Sequence, residues 1–182
     1  MAHQFSTDFL KDSAELMRFY QRLGEQAIAQ TPDAMLASVL DPESNSIATI
    51  VKHLAGNMRS RWTDFLTTDG EKADRRRDTE FETPPKDREE VMACWNAGWR
   101  YVYDALAKLT EADMGRTVYI RTQPHSVMQA VSRQITHYAY HVGQIVYLAK
   151  HFAGDRWTAV TVPRGKSAEF TAGVARRETS QR

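Results

Sequence analysis

The sequence predicts an all-α protein built from four amphipathic helices. In four separate segments, near residues 7–30, 44–66, 87–109 and 126–152, apolar residues recur at three- and four-residue steps. That repeat marks one face of an α-helix. With 182 residues, the chain is long enough for one domain with a sizeable core. We therefore expect residues 1–182 to form a single helical domain, with residues 155–182 as a non-helical tail, packed on the helices or partly disordered.

Capping residues set the expected ends of the first two helices. Ser6 or Thr7 is the expected N-cap of the first helix, and "TPD" after residue 30 ends it. "SNS" at 44–46 opens the second helix, which is expected to reach about residue 66. His53 lies outside the apolar stripe of this helix, roughly 120° from its centre at 100° per residue.

The third helix has a start that resembles a capping box, and the fourth has a possible capping partner at the same spacing. Two prolines precede Asp87, which has Glu90 three residues later, and Ser126 has Gln129 at the same spacing. "AGD" around Gly154 ends the fourth helix. The tryptophans on the apolar stripes of the second and third helices are expected in the core: Trp62, Trp95 and Trp99.

The connections between these helices differ in length. Residues 67–86 are polar, and twenty residues at ~3.3 Å each can run back along a helix of ~30 Å. The second and third helices are therefore expected to be parallel, and "RRR" at 75–77 is expected to be part of a solvated linker. "RTVYIRTQPH", before the fourth helix, fits a short extended piece or a plain loop equally well.

Composition excludes several classes of partner. The formal net charge is +1, so no electrostatic argument favours nucleic acid or an acidic membrane surface. The single cysteine, Cys94, cannot form an intrachain disulfide and suits a reducing compartment. No apolar run approaches the ~18 residues of a membrane span, and the N-terminus does not resemble a signal peptide. We expect a cytoplasmic protein that binds neither nucleic acid nor membrane.

Two histidines interrupt the inward face of the fourth helix. In "ITHYAYHVGQIVYL", His137 and His141 are four residues apart, so both rings reach the same space. Neutral imidazole is a common ligand of zinc, copper, iron and nickel, and HxxxH supplies two ligands from one helix. The alternative is a metal-free core in which hydrogen bonds satisfy both rings.

A third ligand is expected from another helix. His151 is ten residues past His141, about 80° round the helix and ~15 Å along it, so it cannot join the pair. His125 precedes the helix, some ~18 Å from the pair along the axis, and His3 is near the terminus. His53 is therefore the candidate.

Three neutral ligands would leave an open position for water or substrate, as in catalytic sites. The metal would keep its full charge, which lowers the pKa of a bound water or thiol. Gln134, one turn before the pair, and Asn57, one turn after His53, are candidates to orient a ligand or a water molecule. For Gln134, a partly buried side chain satisfied by the backbone is an equal alternative.

The two histidine elements, "IATIVKHLAGNMRSRW" and "ITHYAYHVGQIVYL", resemble those of the DinB/YfiT-like metalloenzyme superfamily in order and placement. The tail "WTAVTVPRGKSAEF" is similar to an uncharacterised branch, and the resemblance covers about residues 5–170. It implies a four-helix bundle of up-down-down-up topology, a homodimer, and a divalent ion, zinc or nickel, on His53, His137 and His141. It also implies a relationship to transferases or isomerases that use bacillithiol, mycothiol or a similar thiol.

The predicted function is a metal-dependent transferase of a low-molecular-weight thiol, or a hydrolase, acting on a small molecule. Two other functions stay open: a non-enzymatic metal-binding or stress-response bundle, and a metal-free structural dimer.

Overall fold

The computed structural model describes residues 6–180, and the predicted mostly helical character is confirmed there. Within these residues lie five α-helices and one two-stranded antiparallel sheet. The elements in chain order are α1 (Phe9–Gln30), α2 (Ile47–Trp62), α3 (Arg88–Leu106), β1 (Thr117–Ile120), β2 (Gln123–Ser126), α4 (Val127–Ala153) and α5 (Ser167–Ala175). The terminal residues 1–5, with His3 among them, and 181–182 lie outside the described part.

The helices begin where side chains accept hydrogen bonds from otherwise unpaired backbone N–H groups. Ser46, Asp87 and Ser126 cap α2, α3 and α4 as predicted, and Ser126 forms a complete capping box with Gln129. Asp8 caps α1 by accepting from the backbone N–H of Lys11, so the predicted serine or threonine cap was wrong. Asp8 has the extended backbone that an N-cap requires.

The second helix ends earlier than predicted, at Trp62 instead of residue 66. Thr63 is extended and Asp64 has a φ of 47°, a left-handed conformation that aspartate tolerates better than most residues. Phe65 nevertheless packs on Trp62, with ring centroids 5.0 Å apart. The apolar pattern therefore continues past the end of the helix because a turn also packs against the core.

The four long helices enclose a shared core. α2 packs on α3 and α1 on α4, with smaller contacts between α2 and α4 and between α1 and α3. All three tryptophans that were expected in the core are buried. Trp62 donates its indole N–H to the hydroxyl of Tyr138 on α4 over 2.7 Å. Gly98 brings α3 close to α2, because a Cβ at this position would lie 3.1 Å from the α2 backbone.

The segment before α4 is a β-hairpin. Of the two structures predicted for it, a short extended piece and a plain loop, the extended piece is correct. Its turn residues Arg121 and Thr122 have φ of 54° and 64°, as two-residue hairpin turns require. Asp69 accepts hydrogen bonds from both backbone N–H groups, at 2.9 and 2.7 Å. This contact ties the hairpin to the 67–86 connection.

The tail was predicted to be non-helical, but α5 forms within it, so the prediction was wrong for that segment. α5 spans nine residues, too short a segment for an apolar repeat to be recognised, and its sequence is rich in alanine, the best helix former. Thr158 joins the tail to α1 through two hydrogen bonds with Gln30, at 2.7 and 3.1 Å. Within residues 6–180, no helix combines the length and apolar character needed to cross a membrane.

Candidate metal centre

Three histidines meet where α2 packs against α4. His53 comes from α2, and the histidine pair of α4 (His137 and His141) comes from consecutive turns. One ring nitrogen of each histidine lies within 4.8 Å of the other two. For three atoms this close, some point lies within about 2.8 Å of all of them, so shifts of under ~1 Å give zinc–nitrogen bonds of ~2.0–2.1 Å. The predicted triad is therefore brought together with a spacing that fits one cation.

Hydrogen bonds orient two of the three rings. Nδ1 of His53 lies 2.9 Å from Oε2 of Glu80, and Nδ1 of His141 lies 2.8 Å from Oε1 of Gln144. A carboxylate or amide oxygen only accepts, so each Nδ1 donates, and in a neutral ring of this tautomer Nε2 carries the lone pair that binds a metal. Nδ1 of His137 is buried with no hydrogen-bond partner in the described residues. A carboxylate on the outer nitrogen of a histidine is the usual support of a metal ligand.

The histidine pair of α4 is neutral at pH 7. Burial, followed by the nearby His141, His53 and arginine charges, lowers the pKa of His137 to about 3. Burial lowers the pKa of His141 to about 4, against the opposing effect of its hydrogen bond with Gln144. Metals bind the neutral imidazole, so protons do not compete for these rings near neutrality.

Glu80 and Arg75 form a buried ion pair behind His53 that sequence reasoning missed. Arg75 donates to both carboxylate oxygens of Glu80, at 2.8 and 2.9 Å, and their side chains are only 3% and 9% exposed. Burial alone would raise the pKa of Glu80, but hydrogen bonds from His53 and Arg75 hold it below its ordinary value. The prediction that "RRR" at 75–77 belongs to a solvated linker was therefore wrong for Arg75.

One sequence feature marks the position of Glu80. Gly56 lies in the middle of α2, where glycine disfavours a helix. A Cβ at Gly56 would overlap the carboxylate of Glu80. The glycine therefore leaves the room that this carboxylate occupies beside His53.

The histidines face an open cavity of about 370 Å³. Asn57 and Gln134 line it with them, although these side chains are only 5% and 3% exposed. Both residues lie beside the triad, but neither is hydrogen-bonded to His53, His137 or His141; Glu80 and Gln144 are the partners of His53 and His141. Oδ1 of Asn57 and Oε1 of Gln134 have no hydrogen-bond partner within residues 6–180. That they orient a ligand or a water molecule stays a prediction.

The whole arrangement falls within one sequence family. A family profile described as "Protein of unknown function (DUF1572)" matches residues 4–166, which include all three histidines, Glu80 and the cavity. No curated protein matches the sequence. The family description does not confirm the DinB/YfiT-like resemblance. Because the match covers most of the chain, the chain belongs to the DUF1572 family of proteins of unknown function.

Proposed function

We propose that this chain is a metal-dependent enzyme in which His53, His137 and His141 hold one divalent cation, zinc or nickel. The observation that carries the proposal is the approach of three ring nitrogens to within 4.8 Å of one another beside an open cavity. The neutral state of the histidine pair of α4 supports it, because neutral imidazole is the ligand form.

The chemistry follows from the ligand set. A divalent cation on three uncharged ligands keeps its full charge and makes a bound water or thiol more acidic. Glu80 fixes the ring of His53, and Gln144 fixes that of His141, so both rings are held with Nε2 free. A cavity of about 370 Å³ has the size of a small-molecule site. The reaction we propose is transfer of a low-molecular-weight thiol or hydrolysis of a small molecule.

The DinB/YfiT-like resemblance supports the thiol-transfer version. With it we propose a single domain, a four-helix bundle of up-down-down-up topology, and a homodimer in the cytoplasm. The mutual packing of the four long helices is consistent with a bundle.

A metal-free structural role is less consistent with the polar atoms around the triad. Buried polar groups in a closed core are almost always hydrogen-bonded. Here Nδ1 of His137, Oδ1 of Asn57 and Oε1 of Gln134 all lack such partners among residues 6–180. These three residues line the same cavity, which is more consistent with a ligand site than with a closed core.

Elemental analysis of protein purified without a polyhistidine tag tests the metal site. We expect about one zinc or nickel per chain, as for one three-histidine site, and loss of this metal in His137→Ala. The matched control is His151→Ala, an exposed histidine at the end of α4, which keeps the metal. Equal metal content in folded His137→Ala and the control would overturn the ligand assignment.

A second experiment separates an enzyme from a metal-binding protein without activity. Metal-loaded protein is assayed for thiol conjugation and for ester and amide hydrolysis, with and without a chelator. Turnover that the chelator abolishes supports the enzyme. Absence of turnover across the panel favours the non-enzymatic metal-binding bundle.

A further inference from the structure

We propose that the cavity beside the histidines recognises a small molecule through an oxyanion group, a carboxylate or a phosphate, held by Arg61 and Arg133. The inference rests on the proposed function in that it names the substrate class of the same site. Its test is independent of metal binding.

The cavity is lined by arginine and by no acidic residue among those the structure describes. The five arginines are Arg61, Arg75, Arg77, Arg121 and Arg133. The acids that form ion pairs with their guanidinium groups do not line the cavity: Glu71, Glu80 and Asp78. The positive charge of the lining is therefore only partly compensated, and a negatively charged ligand is favoured over a cation.

Arg61 supplies a buried donor that lacks an acceptor. This residue is only 4% exposed, and its terminal nitrogens donate to the backbone oxygen of Gly70 and to Glu71. Its Nε is buried and has no partner in residues 6–180. Arg61 also lines the cavity, and hydrogen bonds from a guanidinium to a charged oxygen are stronger than those between neutral groups, so this residue favours an oxyanion there.

Arg133 supplies a free charge at the cavity wall. It lies on α4 one turn before His137, which puts both residues on the same side of the helix. Its guanidinium makes no ion pair or side-chain hydrogen bond within the described residues, and it is exposed. A guanidinium without a protein partner beside a metal-ligand candidate is available to a ligand.

The amides of Asn57 and Gln134 complete the polar lining. Both side chains are buried, both line the cavity, and neither is hydrogen-bonded to a residue within 6–180. Each amide brings N–H donors for an oxyanion and an oxygen that accepts from a hydroxyl group of the same ligand. An apolar ligand would leave these amides and the Arg61 N–H unsatisfied, which favours a polar anionic ligand.

The test titrates inorganic phosphate and, separately, succinate into metal-free protein by calorimetry, with sodium chloride holding the ionic strength constant. We expect saturable binding of at least one anion. The anion that binds more tightly shows whether the site favours a phosphate or a carboxylate. Arg133→Gln is expected to weaken binding about tenfold, and Arg133→Lys by less because the charge is retained. Arg133 is exposed, so these variants are expected to fold, which circular dichroism checks.

The matched control is Arg100→Gln, an exposed arginine of α3 that does not line the cavity. It removes the same charge from the surface and is expected to leave binding unchanged. No saturable binding of either anion would overturn the proposal, as would equal weakening in Arg133→Gln and Arg100→Gln. Because the protein is metal-free, Arg133-dependent anion binding stands even if the histidines bind no metal, and loss of anion binding leaves the metal assignment intact.

Discussion

Replacing Glu80 by glutamine tests whether its carboxylate positions His53 as well as stabilising the fold. Glu80→Gln keeps the size of the side chain but removes a carboxylate that accepts from His53 at 2.9 Å and from Arg75 at 2.8 and 2.9 Å. A glutamine has one accepting oxygen, and its NH₂ group would face the other donor. In either orientation of the amide Arg75 loses an acceptor, and the Nδ1–H of His53 loses the negative charge that it faces.

Two magnitudes follow from this geometry. Loss of the hydrogen-bond partner of a ligand histidine weakens metal binding ~10–100-fold, or about 1.4–2.7 kcal/mol. Complete disruption of a buried ion pair costs ~3–5 kcal/mol, but Arg75 keeps Glu71 at 3.3 Å. We therefore expect the free energy of unfolding of the metal-free protein to fall by about 2 kcal/mol.

Zinc affinity is measured by competition with a chelating dye. Stability is measured by urea unfolding in the presence of a chelator. The matched control is Asp78→Asn, which neutralises a 98% exposed carboxylate in the 3₁₀ turn Asp78–Phe81 that also contains Glu80. Among residues 6–180 its only ion pair is with Arg77 at 4.0 Å, and we expect Asp78→Asn to change neither zinc affinity nor stability.

A double-mutant cycle tests whether Glu80 acts through His53. In a His53→Ala background, Glu80→Gln is expected to cause no further loss of the residual zinc affinity. The reasoning is refuted if the loss is as large in that background as in the wild type. It is also refuted if Glu80→Gln lowers stability and leaves zinc affinity unchanged, because Glu80 would then serve only as the partner of Arg75.

Three further predictions concern the fold. Tyr138→Phe leaves the buried indole N–H of Trp62 without its acceptor and should lower the free energy of unfolding by about 1–3 kcal/mol in urea, whereas exposed Tyr140→Phe should not. Gly98→Ala places a methyl group 3.1 Å from the α2 backbone and should destabilise by about 1–3 kcal/mol; Gly143→Ala, with open space around it, should stabilise by about 0.5–1 kcal/mol. Equal effects of Tyr138→Phe and Tyr140→Phe would contradict the buried hydrogen bond. Equal effects of Gly98→Ala and Gly143→Ala would contradict the close approach of α3 to α2. The histidine pair of α4 has folded pKa values of about 3 and 4, below the unfolded value of about 6.5, so the unfolded chain binds more protons at intermediate pH. Metal-free protein should therefore lose stability in urea as pH falls from 7 to 5, and a glutamine in place of either histidine should reduce that slope; an unchanged slope would contradict the lowered pKa values.

The elements that local sequence determines were the predictable ones. The capping box of Ser126 with Gln129 and the caps at Ser46 and Asp87 depend on residues within one helical turn, so they can be recognised without the rest of the chain. The end of α2 could not be recognised in this way, because Phe65 continues the apolar pattern from a turn. Tertiary packing in the core decides where such a residue lies, and a local pattern does not contain that information.

The residues of the candidate site show the same contrast between what local sequence determines and what tertiary packing determines. His137 and His141 were found because four-residue spacing on a helix places two rings together in any fold. His53 was predicted by elimination and from the DinB/YfiT-like resemblance. Local spacing does not indicate it, because only tertiary packing brings α2 to α4. Arg75 and Glu80 gave no periodic signal, because their burial depends on their mutual charge and on His53, not on hydrophobic character.

The energetics of the buried pair suggest why the 67–86 connection is long. A buried ion pair usually adds little stability, because desolvation of both charges offsets their attraction. Stability alone therefore gives little reason to bury Arg75 and Glu80 beneath a polar connection. Their position is accounted for if the carboxylate is needed to fix the proton of His53 on Nδ1 and Arg75 is needed to keep that carboxylate charged. On this argument residues 67–86 belong to the functional site, and a shortened connection that spared the helices but omitted Glu80 should weaken metal binding as Glu80→Gln does.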